Sequence, residues 1–295
     1  MPKAAIDGGR VAFSIELTTP ACPVKDMLRD QARAAVSALP GVTAVDIEMT
    51  ASVRAVASPE TGRAPVEGVK NVIAVGAGKG GVGKTTVAVN LAIALAKCGS
   101  RVGIIDGDIY GPNVPIMLGI NQQLTTDGKK ILPAEKHGLQ VISMGFMTSD
   151  EAPVIWRGPM LHGAILVTTP QQVSLADTRR AVRMYQKLNI QPIGLVENMS
   201  YYACPNCHHE ADIFGHGGGE ALATSMDIPF LGRLPVYQPI REGSDSGVPL
   251  IVSEPGSPAG RAFVTVAERA AAQLSIAAHK VAEANKGKIP LIQVR

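Results

Sequence analysis

Residues 76–86 of this chain read GAGKGGVGKTT, a glycine-rich stretch with two lysines in one short loop. Residues 78–85 match G-x-x-x-x-G-K-S/T, the pattern that turns backbone N–H groups toward nucleotide phosphates. The apolar run NVIAV before the loop is typical of a strand buried on both faces. TTVAVNLAIALAKCG after it is typical of a helix that ends at Gly99. The order of strand, loop and helix predicts a P-loop nucleotide site.

The loop pattern assigns a chemical role to each of its polar residues. We expect Lys84 to reach the β- and γ-phosphates and the Thr85 hydroxyl to bind Mg²⁺. The helix N-terminus adds partial positive charge at the same point. The predicted nucleotide contacts are Gly78, Lys79, Gly80, Gly81, Val82, Gly83, Lys84, Thr85 and Thr86.

Further apolar runs alternate with helical patterns along the remainder of the chain. RVGIIDGD, ILVTTP, IQPIGLVENM and FLGRLP are predicted strands, while LADTRRAVRMYQKL and the stretch 257–285 are predicted helices. This alternation is typical of a doubly wound α/β fold with a mostly parallel sheet.

The first 54 residues form a separate pattern. Residues 11–17 and 43–49 are predicted strands, with an amphipathic helix at 24–39 between them. We therefore expect a small partial α+β domain at 1–54, a linker at 55–68 and a P-loop ATPase domain at 69–295.

Composition narrows the class of protein. The 28 basic and 25 acidic residues give a net charge of only +3, and the basic residues are scattered, so nucleic-acid binding is not expected. No run reaches the roughly 18 apolar residues of a membrane span, and no secretory signal leads the N-terminus. These features predict a cytoplasmic protein that does not bind membranes.

The stretch KGGVGKT resembles the deviant Walker A loop of the MinD/ParA-like ATPases. That resemblance implies a homodimer in which Lys79 crosses the interface to the partner's nucleotide. DGDIYGPNVP, PVIWRGPM, VTTPQ, VENMS and the CPNC pair further resemble the Mrp/ApbC group of iron–sulfur carrier ATPases. The front block resembles the back half of the small N-terminal domain of bacterial members.

The resemblance implies ATP and Mg²⁺ as cofactors and assigns two more site residues. Asp108 matches the switch I aspartate that positions the attacking water, so Lys79, Lys84 and Asp108 are the expected catalytic residues. Asn198 matches an adenine-contacting asparagine. Taken without the resemblance, Asp106 ends an apolar run, VGIID, and could instead be a Walker B aspartate.

Cys204 and Cys207 form a C-x₂-C pair, which can hold one soft metal centre. A 4Fe–4S cluster needs four thiolates, and two pairs at the axis of a symmetric dimer would supply them. A zinc site with His208 and His209, a redox dithiol and an unused pair remain alternatives at this point.

The chain departs from the resemblance at one place. In the Mrp/ApbC group a strand and a DLPPGTGD-type switch II motif lie between the WRGPM helix and VTTPQ, whereas here PMLHGA runs straight into ILVTTP. That segment carries the Walker B aspartate and a strand beside the P-loop strand. We therefore expect a gap in the middle of the sheet, which would affect ATP hydrolysis and folding.

The function expected from these features is an ATP-binding homodimeric carrier that passes an iron–sulfur cluster to apoproteins. A MinD/ParA-like positioning or partition ATPase is the alternative from another class. A nucleotide-binding module without catalysis is the third interpretation, and the missing switch II motif favours it.

Overall fold

The computed structural model describes residues 4–56, 66–108, 111–122, 125–126, 128, 131–146, 161–204, 206–207 and 209–284. The strands are β1 (Ala4–Asp7), β2 (Arg10–Leu17), β3 (Ala44–Ala51), β4 (Ile73–Gly76), β5 (Val102–Asp106), β6 (Thr125–Thr126), β7 (Ile131–Leu132), β8 (Ala134–Lys136), β9 (Leu139–Ser143), β10 (Gly163–Thr168), β11 (Pro192–Glu197), β12 (Tyr202–Ala203), β13 (Glu210–Ala211) and β14 (Phe230–Arg233). The helices are α1 (Lys25–Ser37), α2 (Lys84–Lys97), α3 (Val114–Leu118), α4 (Gln172–Lys187), α5 (Gly218–Ser225), α6 (Gln238–Ser246), α7 (Leu250–Ser253) and α8 (Pro258–Ala284).

A four-stranded parallel sheet with the order β14-β11-β10-β4 forms the centre of the P-loop domain. Every residue of β10 and β11 is buried. On β10, Ile165 and Val167 join the core that contains α2 and α8, whereas Leu166 joins the core that contains α4 and α5. Helices therefore cover both faces of this sheet, and the predicted doubly wound α/β fold is confirmed.

A second, three-stranded sheet has the order β5-β9-β8, with β5 and β9 parallel. Among the described strands, β4 pairs only with β10 and β5 pairs only with β9. The sheet is therefore broken between the P-loop strand and the next strand along the chain. This break lies where the sequence predicted a missing strand.

Helix α2 packs against strands of both sheets, since it contacts β4 of the first sheet and β5 and β9 of the second. Seven of its residues are buried, which agrees with its nearly continuous apolar sequence. Its buried Asn90 donates to the Thr86 carbonyl at 2.9 Å and accepts from the Ile251 amide at 3.2 Å. The asparagine thereby ties α2 to α7 without leaving its own amide unsatisfied.

The N-terminal unit is a three-stranded sheet, β1-β2-β3, with α1 packed on it. The predicted strands and helix are all present, and β2 pairs with β3 in parallel over eight residues. Strand β1 was not predicted. It forms an antiparallel hairpin with β2 through Gly8 and Gly9, both with positive φ, and a glycine pair of this kind is a hairpin signal.

Two predicted segments lie outside the described residues. They are the helix at WRGPM, residues 156–160, and most of the linker, residues 57–65. Within the part of the chain that the structure describes, no helix combines the length and apolar character needed to cross a membrane.

His162 joins the P-loop strand to its neighbour just before β10. Its backbone N–H donates to the Val72 carbonyl at 2.8 Å, and its ring Nδ1 accepts from the Val72 N–H at 3.0 Å. Burial lowers the pKa of His162 below its ordinary value of 6.5. The folded chain therefore favours the neutral ring, which is also the form that can accept at Nδ1.

We predict that His162 makes folding stability depend on pH. Because its folded pKa is lowered, its contribution is fully present above pH 6.5 and is lost as the pH falls through the folded pKa. Between about pH 7 and 5, the unfolding free energy of the native chain should fall more steeply than that of His162→Leu. Denaturant titrations at several pH values measure this slope, with the exposed-residue variant His279→Gln as control. Equal slopes for all three proteins would contradict the assignment.

Candidate functional site

The predicted site residues of the P-loop domain follow the carboxyl ends of parallel strands. The glycine-rich loop follows β4, Asp108 follows β5, and Asn198 follows β11 directly. In open α/β sheets this edge is where ligands bind, because loops from several strands meet there.

The loop between β4 and α2 has the backbone that phosphate binding needs. Gly81 and Gly83 have φ values of 76° and 84°, in the left-handed region that glycine adopts without strain. Helix α2 begins at Lys84, and its N-cap, Gly83, makes no side-chain hydrogen bond to the first turn. No side chain caps these amides, so they can donate to a phosphate, and the residues present fit a nucleotide.

Close packing explains two other features of the loop. A Cβ at Gly78 would overlap the backbone of Asp177 and Thr178 in the second turn of α4. A Cβ at Gly83 would overlap the side-chain amide of Asn198. At Gly80 and Gly81 a Cβ would meet no heavy atom within 4 Å. The loop therefore rests on α4 and Asn198 at two points and is open between them.

The two lysines of the loop differ in their surroundings. Lys79 is exposed at the open part of the loop, whereas Lys84, Thr85 and Thr86 are half-buried in the first turn of α2. Val82 is only 3% exposed and anchors the loop in the core. Lys79 can therefore extend away from the loop, while Lys84 is held beside the phosphate-binding amides.

The two aspartates after β5 have different environments. Asp106 is buried and accepts hydrogen bonds from the Ser143 hydroxyl at 3.1 Å and the Val114 amide at 3.2 Å. It also accepts from the amide of Asp108 at 3.2 Å. Asp108 is exposed and accepts from the Gly111 amide at 3.2 Å. Asp106 thus fastens the end of β5 to β9 and α3, and Asp108 is the carboxylate that faces solvent.

Asn198 supports the P-loop in this structure. It is 7% exposed, and its Nδ2 donates to the Val82 carbonyl at 2.9 Å. The preceding Glu197 is fully buried and accepts from the Ser200 hydroxyl at 2.6 Å and from the Gly219 amide. Sequence reasoning missed this support, because it depends on a contact between residues 116 positions apart.

Cys204 and Cys207 lie at the tip of a short hairpin formed by β12 and β13. The Cys204 amide donates to the His209 carbonyl at 3.1 Å, which closes the hairpin above its two-residue ladder. Cys207 is exposed and Cys204 is half-buried. The tip therefore presents two neighbouring thiols toward solvent.

The backbone at this tip favours the thiolate form. Hydrogen bonds from the amides of Cys207 and Asn206, and from the Cys207 side chain, lower the pKa of the Cys204 thiol. Within the described residues, no group of three or more His, Cys, Asp or Glu side chains could hold a metal ion. His208, part of the predicted zinc alternative, lies outside those residues.

The other two cysteines, Cys98 and Cys22, do not belong to the hairpin tip. Burial is the main cause of the raised pKa of Cys98, at the end of α2, and the nearby Glu268 raises it further. Cys22 is half-buried before α1.

Two family models match the chain. The model described as NUBPL iron-transfer P-loop NTPase matches residues 68–165 and 161–271, and the model described as iron–sulfur cluster assembly protein matches residues 3–47. The first therefore matches in two pieces that meet at 161–165. The segment that this chain lacks relative to the Mrp/ApbC group would lie at the same position.

Similar proteins carry related names. The iron–sulfur cluster carrier protein of a Synechocystis species is 40% identical over 321 positions, covering 93% of this chain and 90% of the relative. The iron–sulfur cluster carrier protein of Escherichia coli K12 is 36% identical, covering 84% of this chain and 78% of the relative. The 321 positions exceed the 295 residues of this chain, so the Synechocystis relative has residues without a counterpart here.

Solved structures resemble the P-loop domain. A nucleotide-binding protein of Archaeoglobus fulgidus in complex with ADP is 30% identical, with a TM-score of 0.55 over 65% of this chain and 90% of that one. The cell division ATPase MinD of Pyrococcus furiosus is 25% identical, with a TM-score of 0.52 over 68% of this chain and 98% of that one.

We predict that Gly78→Ala and Gly80→Ala differ in their effect on folding. The new methyl group at residue 78 would overlap α4 and should cost about 1–3 kcal/mol of unfolding free energy. The methyl group at residue 80 points into open space, so that variant should change stability by less than about 1 kcal/mol. Chemical denaturation of both variants measures the difference, and equal losses would show that the loop does not rest on α4.

Proposed function

The chain belongs to the family of NUBPL iron-transfer P-loop NTPases, and we propose that it is a cytoplasmic, nucleotide-binding carrier of iron–sulfur clusters. The hairpin tip at Cys204 and Cys207 is the observation that carries this proposal. The exposed Cys207 lies beside the half-buried Cys204, whose sulfur accepts hydrogen bonds from backbone amides, and a carrier that takes up and releases a cluster needs such a pair at its surface.

The proposed cargo is a 4Fe–4S cluster shared by two copies of the chain. One hairpin provides two thiolates, and a two-fold axis through the tips would bring four together. Lys79 supports the same assembly, because it is exposed on the loop and can extend to a nucleotide on the partner. The clients would be apoproteins that receive the cluster from the exposed tip.

The proposed cofactors are ATP and Mg²⁺, at the loop before α2. Lys84 and the amides of the first turn would hold the phosphates, and Thr85 would provide one ligand to the metal. Asp108 is the proposed residue for orienting water, since its carboxylate faces solvent at the same edge. Bound ATP with Mg²⁺ would supply the charge and the binding free energy that move the loop from its nucleotide-free to its nucleotide-bound conformation.

A short stretch of chain would connect nucleotide and cargo. Asn198 contacts the P-loop through Val82, and Cys204 follows six positions later along the same segment. Tyr202 in between pairs with Val236, after β14. A nucleotide that shifts the loop would displace Asn198, and we propose that this movement alters the exposure of the two thiols.

A nucleotide-binding module without hydrolysis is the second candidate. The two-piece match to the family model favours it. The resemblance places the switch II aspartate in a segment that relatives carry near residues 161–165 and that this chain lacks. Phosphate release by the purified chain distinguishes it from an ATPase, and cluster carriage does not depend on that result. The remaining alternatives are a positioning ATPase, a zinc site and a redox dithiol. Each of them predicts that the purified chain binds no iron–sulfur cluster.

We predict that the cluster depends on both cysteines of the hairpin. After anaerobic reconstitution, the native chain should show the visible absorption of an iron–sulfur cluster, with bound iron and sulfide. Cys204→Ala and Cys207→Ala should each lose it, because an open iron site admits water or oxidant. Cys98→Ala and Cys22→Ala are the matched controls and should keep the cluster. One tightly bound zinc per chain would instead support the zinc alternative.

We predict that the two loop lysines have separable roles. Lys84→Ala should raise the Kd for ATP by at least about tenfold, or roughly 1.4 kcal/mol, because its ammonium offsets phosphate charge. Lys79→Ala should bind ATP in the monomer nearly as well as the native chain but lose any ATP-dependent change in dimerisation. Calorimetry and sedimentation measure the two effects. Unchanged affinity in Lys84→Ala would remove the P-loop assignment, and unchanged dimerisation in Lys79→Ala would make Lys79 an ordinary surface lysine.

A further inference from the structure

A cavity of about 210 Å³ lies between the base of the cysteine hairpin, the end of β14 and the first half of α8. It is separate from the nucleotide loop, and the two thiols do not line it. Charged and hydroxyl side chains come to it from all three elements. We call this space the arginine cavity, and its polar lining residues are Tyr201, Glu210, Arg233, Thr265 and Arg269.

Gly232 leaves the room that the cavity occupies. It is buried in β14, and a Cβ at this position would lie 3.1 Å from Cγ2 of Val266 and 3.9 Å from Nη1 of Arg269. Ala262 and Val266 of α8 add an apolar floor. The volume is below the roughly 300–1,000 Å³ of a pocket for a drug-sized molecule, so the cavity suits a small ligand with a short carbon skeleton.

The two arginines of the cavity are held in place but keep most of their donors. The Arg233 guanidinium lies 5.8 Å from the centre of the Tyr201 ring and donates to Nδ1 of His216 at 3.1 Å. Arg269 donates to the Leu231 carbonyl at 3.2 Å. Because a guanidinium carries five N–H donors, most donors of each arginine remain available to a ligand. Among the described residues, neither arginine has a carboxylate within 4.0 Å.

One carboxylate also lines the cavity. Glu210 is exposed on β13, and it forms no ion pair with any other residue that the structure describes. The charged lining is therefore two guanidinium groups and one carboxylate, with one net positive charge.

Two hydroxyl groups complete the lining. Burial raises the pKa of Tyr201, and the nearby Glu210 raises it further, so the phenol is a neutral donor. The Thr265 hydroxyl donates to the Arg261 carbonyl at 3.0 Å, and its oxygen can still accept a hydrogen bond. Both hydroxyl groups can therefore bind polar atoms of a ligand without adding charge.

We propose that the arginine cavity binds a small acidic amino acid, or a compound with the same pattern of two carboxylates and one ammonium group. Each carboxylate would pair with one guanidinium, which can donate two parallel hydrogen bonds to it. The ammonium group would pair with Glu210. Such a ligand carries one net negative charge and offsets the lining. A dicarboxylate without the ammonium group would leave Glu210 facing a second anion, which is unfavourable.

The bound ligand would connect the cysteine hairpin to the P-loop domain. Tyr201 directly precedes β12, and Glu210 belongs to β13, so both strands of the hairpin have a residue in the cavity. Arg269 and Thr265 belong to α8, which packs against β14 and α2. Occupation of the cavity would therefore restrain the hairpin that carries Cys204 and Cys207.

The test uses the full chain without nucleotide or cluster, so its outcome is independent of the proposed carrier function. The probes are L-glutamate and glutarate, which has the same two carboxylates but no ammonium group. Calorimetric titrations near neutral pH and at constant ionic strength measure both Kd values. The variants are Arg269→Gln and Glu210→Gln. The matched control is Arg261→Gln, because Arg261 is an exposed arginine of the same helix that does not line the cavity.

We expect the native chain to bind L-glutamate at least about tenfold more tightly than glutarate. Arg269→Gln should raise the Kd for L-glutamate by at least about tenfold, and Arg261→Gln should leave it unchanged. Glu210→Gln should weaken L-glutamate and strengthen glutarate, and a gain in affinity cannot result from misfolding. No saturable binding of L-glutamate, equal losses in the two arginine variants, or an unchanged preference in Glu210→Gln would overturn the proposal.

Discussion

The packing of α2 against two separate sheets is the interaction on which the rest of the P-loop domain depends. In an unbroken parallel sheet, the P-loop strand and the strand that carries Asp106 would belong to one hydrogen-bonded ladder. Here α2 packs against both strands, and its buried Asn90 fixes it to α7. The position of the phosphate-binding loop relative to Asp106 and Asp108 therefore depends on the packing of helices, α2 above all, rather than on a shared strand ladder.

The site residues that follow β11 are held more firmly than the two aspartates that follow β5. Strands β10 and β11 are buried on both faces, and Glu197 at the end of β11 is a buried carboxylate whose hydrogen bonds reach Ser200 and the start of α5. Asn198 links this rigid edge to the loop at Val82. The segment that follows leads to the cysteine hairpin, so the proposed cargo site is attached to the well-packed half of the domain and the aspartates to the other half.

The sequence predicts the parts of this architecture whose signals are local. Glycines and lysines at fixed spacing predict the P-loop, and continuous apolar runs predict β10 and β11 because those strands are covered on both faces. Strands β12 and β13 were not predicted, since two-residue strands have no periodicity and are defined only by their pairing with each other. The contact of Asn198 with Val82 and that of Asp106 with Ser143 could not be predicted either, because these partners are 116 and 37 positions apart in the chain. The broken sheet was predictable only from the family resemblance, not from periodicity.

The central claim is that two copies of this chain share one cluster through their hairpin cysteines. Native mass spectrometry of the anaerobically reconstituted protein tests it directly, because the mass counts chains, iron and sulfide together. The account predicts a species of two chains with a single 4Fe–4S cluster, which separates into monomers when the cluster is removed. A monomer that retains a complete cluster, or a dimer with one metal ion per chain, would contradict it.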